Sequence, residues 1–99
     1  MQPSSPRSEA APAGEAFLRL AEAIDAQRPS AALRALMEEV RRACDAAAAQ
    51  VGSAELRQWL VDVQTALRTW QEVWPRLSGQ PPFRQAVARE ARLWARRFA

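Results

Sequence analysis

Two apolar seams of helical period, joined by a single Gly52-Ser53 step, constrain this chain more than any other feature. Leu33, Met37, Val40, Cys44, Ala47 and Val51 follow one another at intervals of 4, 3, 4, 3 and 4 residues. Beyond the step, Leu56, Leu60, Val63, Leu67, Trp70, Trp74 and Leu77 repeat the rhythm. Spacing of this kind places every seam residue on one side of an α-helix, whereas a strand needs alternation. Gly52 suits a left-handed C′ position and Ser53 an N-cap, so the chain is expected to reverse there into an antiparallel helical hairpin.

The flanks extend the same reading. Phe17, Leu20, Ala21 and Ile24 recur at helical spacing until Pro29 interrupts them, which predicts a first helix over 15–28. Ser30 is the expected N-cap of the second, over 31–51, and the third spans 54–77, with Pro75 bending or ending it. After the loop Ser78-Gly79-Gln80-Pro81-Pro82, the residues Phe83, Val87, Ala91, Trp94 and Phe98 define a fourth over 82–98. The fold class is therefore all-α, a small bundle of about four helices around a central hairpin. Residues 1–14, MQPSSPRSEAAPAG, have no large apolar residue after Met1 and are expected to form a disordered tail, leaving 15–99 as one helical domain.

Composition narrows the chemistry. Of the apolar residues 22 are Ala, so the core must be thin. There is no His, and all 14 basic residues are Arg, which removes the imidazole base, the Ser-His-Asp arrangement, the lysine Schiff base and the phosphate-loop lysine. Three scattered Gly build no phosphate cradle, and a lone Cys44 forms neither an internal disulfide nor a paired-cysteine metal site. Carboxylates remain in Glu38/Glu39 and Glu22/Asp25, but each lies among Arg residues at helical spacing, the pattern of solvated ion pairs. Arg34–Glu38, Glu38–Arg42 and Arg41–Asp45 are the expected pairs on the second helix. The chain is expected to be no enzyme and to carry no cofactor, metal or small-molecule substrate. No apolar run reaches the length of a membrane span or a secretory signal, and with a single thiol the expected compartment is the cytoplasm.

What is left to function is surface. Residues 53–99 hold 8 Arg against 4 acids, and Arg89, Arg92 and Arg96 fall within about 60° on a helical wheel, opposite the apolar stripe. With Arg97 and Arg84 they form a candidate anion-binding stripe, almost unopposed because Glu90 is the only acid after Glu72. Arginines one turn apart can follow a phosphate backbone, and without Asn to read bases the contact would be independent of sequence. The four Trp lie on or beside the apolar stripes of the third and fourth helices, where packing explains them better than base stacking. Val61 and Leu93 project away from those stripes and are the candidate interface residues.

The leading expectation is a non-enzymatic helical subunit that self-associates or packs into a larger protein complex, because the third helix carries an apolar face about 140° wide, more than one neighbour covers. The alternative is a sequence-independent binder of a DNA or RNA backbone through the last helix. Small basic helical bundles occur as small subunits of CRISPR effector complexes, and the chain is similar to them in size, helicity and charge alone. A peripheral membrane binder comes third.

Overall fold

The computed structural model describes residues 6–98, and side chains from residue 10 onward. Its elements are α1 (Pro6–Asp25), α2 (Ser30–Gln50), α3 (Ala54–Leu77) and α4 (Pro81–Arg97), with no strand among the described residues. Among the described residues, no helix is long and apolar enough to cross a membrane.

The largest departure from expectation is at the first helix. It begins at Pro6, inside the stretch read as a tail, and Ala10, Ala13 and Gly14 are buried; residues 1–5 lie outside the described residues. Proline at the first helical position costs no hydrogen bond and presets φ, and Pro12 sits on the exposed side of the helix. Composition misled here because small residues read as weakly apolar, while geometrically they allow backbones to approach. A Cβ built on Gly14 would lie 3.0 Å from the Ala95 carbonyl oxygen and 3.2 Å from the Phe98 Cβ.

That closeness organises the molecule. α1 makes the most extensive contacts of any helix, against α4 and then α2; it buries Ala10, Ala13, Gly14 and Ala21, and α4 buries Ala88 and Ala91. α3 and α4 touch more sparsely, because indoles hold them apart. Phe17 stands edge-on to Trp70 with ring centroids 6.3 Å apart and stacks on Phe98 at 6.4 Å. Phe98 in turn packs on Trp94 at 5.7 Å and Trp59 at 6.5 Å, and Trp74 on Phe83 at 5.6 Å. Trp70, Trp74 and Trp94 are thus core residues, as expected from their stripes, and Trp59 packs half-buried against the core.

Two caps differ from the reading above. Gly52 does not adopt a left-handed conformation; Val51 ends α2 with extended backbone (φ −72°, ψ 127°). The left-handed residue is Gln27, at φ 56°, where the Gln27 amide donates to Ile24 O (3.0 Å) and the Arg28 amide to Ala23 O (3.1 Å). This paired bonding is a Schellman motif, and Pro29 follows it as a helix stop. Ser30 is the first residue of α2 rather than its cap, which falls on Pro29 without a side-chain hydrogen bond. Ser53 does cap α3, its hydroxyl accepting from the Leu56 amide at 3.3 Å. The α3 stripe expected to exceed one partner's cover is buried within the chain from Leu56 to Trp74.

Candidate interaction surface

α4 turns Val87, Ala88, Ala91 and Trp94 inward, which leaves its polar side outward by the helical period alone. On that side Arg89, Leu93 and Arg96 are exposed, while Arg84 and Arg92 are half-buried. The five candidate arginines do not act as one stripe. Arg92 donates to Asp25 of α1, an acid that is 67 residues away in sequence and that no wheel of α4 could reveal. Arg97 lies over the Trp94 ring, its guanidinium carbon 4.8 Å from the centroid, and 6.0 Å from that of Trp59. Such stacking is worth about 0.5–1 kcal/mol on a wet surface. Arg84 lines a separate recess with Ile24, Gln27 and Pro81. The expectation of an almost unopposed stripe is therefore corrected at Arg92; Arg97 keeps its charge against the Trp94 ring and Arg84 stands apart, while Arg89 and Arg96 stand exposed on either side of Leu93. Among the described residues, no carboxylate lies within ion-pair distance of either.

Leu93 occupies the ridge between two shallow concavities. One, of about 510 Å³, is lined by Asp25, Arg89, Arg92 and Arg96; the other by Glu90, Trp94 and Arg97, with Leu93 and Arg89 common to both. The side chain is 49% exposed, and Val61 on α3 is 52% exposed, so both project outward as their spacing implied. Sequence reading missed a third: Leu18 of α1, 43% exposed. Its signal was available, since at 100° per residue it leaves the stripe of Phe17, Leu20, Ala21 and Ile24, flanked by Glu15 and Glu22 on the same outer side.

Several of the remaining carboxylates are paired. Arg41 bridges Glu38 and Asp45, Nη1 reaching Asp45 Oδ2 at 3.0 Å, so the ladder on α2 uses Arg41 where Arg34 and Arg42 were expected partners of Glu38. The hydrogen bond from Arg41 holds the Glu38 carboxyl below its ordinary range, burial opposing it, and the Gln71 amide adds a weaker contact at 3.5 Å. Arg19 of α1 reaches Glu39 of α2 at 2.6 Å. Cys44 is enclosed in the core, and burial, helped by the Asp45 charge, pushes its thiol up to about 12. No group of three metal-ligating side chains occurs among the described residues. No protein family matches the chain, and no curated protein or solved structure is significantly similar to it.

Proposed function

We propose that the chain is a non-enzymatic helical subunit that self-associates through the outer side of α1 and α4. Absence of His and Lys leaves few groups for general-base or covalent chemistry. The observation that carries the reading is that Leu18 and Leu93 are half-exposed leucines on the two helices that pack most closely, while the seams are buried from Leu33 to Val51 and from Leu56 to Trp74. Single exposed apolar residues are ordinary; two on adjacent helices, each flanked by charged residues along its own helix, suit a docking surface.

The arrangement behind this reading is a bundle of alternating helix direction. Its support is the trend of the cross-helix contacts: Asp45 accepts from Gln64 (2.7 Å) and Glu38 from Gln71, so as one index falls the other rises, as in an antiparallel α2–α3 hairpin. Gly14 against Ala95 and Phe98, with Ile24 and Gln27 beside Pro81 and Arg84, gives α1 and α4 the same opposed sense. A buried thiol needs no oxidising compartment, which suits the cytoplasm.

Light scattering and sedimentation equilibrium over a dilution series test the proposal. A mass that rises reversibly with concentration is expected, and a strictly monomeric protein at high micromolar concentration would refute it. A second reading, contact with a nucleic-acid backbone, is favoured by the two outward guanidinium groups of Arg89 and Arg96. Its log–log salt slope would be about −2 at most, since the slope follows the number of phosphates neutralised. Binding to unrelated oligonucleotides that ignores R89Q/R96Q, or no binding at low salt, removes that reading.

A further inference from the structure

On α1 the exposed residues Glu15, Leu18 and Glu22 follow at steps of three and four; on α4, read against the chain, Arg96, Leu93 and Arg89 follow at the same steps. One triplet is acidic about a leucine and the other basic about a leucine. Run in opposite directions they match member for member, acid against base and leucine against leucine.

The fold sets them at corresponding heights. Gly14 lies against Ala95 and Phe98, which puts Glu15 in the layer of Arg96, Leu18 in that of Leu93 and Glu22 in that of Arg89, given the opposed sense of α1 and α4. Both triplets face outward from two adjacent helices. A two-fold axis parallel to those helices carries one copy's α1 over the other's α4 without changing its height, and does the reverse at once. Each contact then forms twice, which is the self-complementarity a closed two-fold interface requires.

Resting on the self-association reading, we propose that the occupant of this face is a second copy of the chain. Leu18 packs on the partner's Leu93, Glu15 pairs with the partner's Arg96 and Glu22 with the partner's Arg89. Arg92 and Asp25 already satisfy one another and join α4 to α1 as a neutral pair. An acidic ridge beside a basic ridge disfavours a uniformly anionic occupant, because a polyphosphate drawn to Arg89 and Arg96 would also meet Glu15 and Glu22. Val61, on the outer side of α3, takes no part.

Charge reversal provides the test, with sedimentation equilibrium and native mass spectrometry as readouts. E15R/E22R alone places arginine against arginine in both halves of its own dimer, and R89E/R96E places glutamate against glutamate; each should weaken dimerisation by about a hundredfold or more. Mixed in equal amounts, they should recover a heterodimer in which every pair is again opposite in sign. L93N should weaken the dimer while its melting temperature matches that of wild type at dilutions where both are monomeric, so loss of association is separable from loss of folding. Wild-type association unaffected by either reversal would overturn this surface and leave the self-association reading standing. A wild-type protein that stays monomeric would overturn both. An assembly that disappears on nuclease treatment would overturn the second-copy contact in favour of a nucleic-acid scaffold.

Discussion

Gly14→Ala asks whether α1 is packed on α4 along its first half. In an exposed helix the change stabilises by about 0.5–1 kcal/mol, because alanine loses less backbone freedom on folding. Here the new Cβ would meet the Ala95 carbonyl oxygen at 3.0 Å and the Phe98 Cβ at 3.2 Å. The oxygen belongs to the backbone of α4 and cannot rotate away, so two helices must part or Phe98 must leave its stack with Trp94. Overpacking of this kind costs about 1–3 kcal/mol, which outweighs the propensity gain and leaves a net loss of about 1 kcal/mol. In a domain of this size that lowers the melting temperature by about 4–8 °C. Gly52→Ala is the matched control, since nothing lies within 4 Å of its Cβ position and its φ is not positive. It should be neutral or slightly stabilising. Thermal melts followed by circular dichroism compare the two, and a Gly14→Ala protein as stable as wild type or more so would refute the close packing of α1 on α4.

Other consequences can be checked on the same preparations. Gln27→Gly relieves a left-handed residue that pays for its Cβ and should stabilise by about 0.5–1 kcal/mol in urea titrations, whereas a loss would mean that the Schellman turn is misassigned. Trp74→Ala should cost about 3–5 kcal/mol. Trp74→Phe should cost far less, since it keeps a ring against Phe83 and removes a buried Nε1–H that has no acceptor; equal losses for the two would refute that account. The Cys44 thiol, ordinarily near 9.0 and pushed up to about 12 by burial, makes the folded state resist ionisation that the unfolded chain accepts. Its contribution is complete below pH 9 and fades as pH rises from there towards 12. Cys44→Ala should flatten that alkaline decline, and the wild-type thiol should react with a disulfide reagent only on unfolding.

How much of this was legible beforehand follows from what period and composition can encode. The seams from Leu33 to Val51 and from Leu56 to Leu77 fixed α2 and α3 because apolar side chains of ordinary size at steps of three and four have one helical solution. α1 was shortened because its first half buries alanine and glycine, whose contribution is proximity, and proximity depends on a partner helix 80 residues away. The cap at Gln27 was missed for a related reason. Glycine marks where a left-handed residue is cheap, not where geometry demands one, and between Asp25 and Pro29 the chain uses glutamine and bears the cost.

The candidate surface shows the same division more sharply. A helical wheel orders residues on one helix, so it placed Arg89, Arg92 and Arg96 correctly on the outer side of α4 and Leu93 among them. It carries no information about the neighbouring helix, so it read Arg92 as free when Asp25 neutralises it, and it did not show that Arg97, though exposed, lies over Trp94 and near Trp59. Removing these two changes the balance of the face. With Arg84 also set apart in its own recess, what remains is two arginines flanking a leucine, beside two glutamates flanking another, and these favour a partner with the opposite pattern at the same spacing. The chain itself carries that pattern on its first helix, and the residue that reveals it, Leu18, lies in a segment whose acids read as ordinary solvated charges until α1 and α4 are seen side by side.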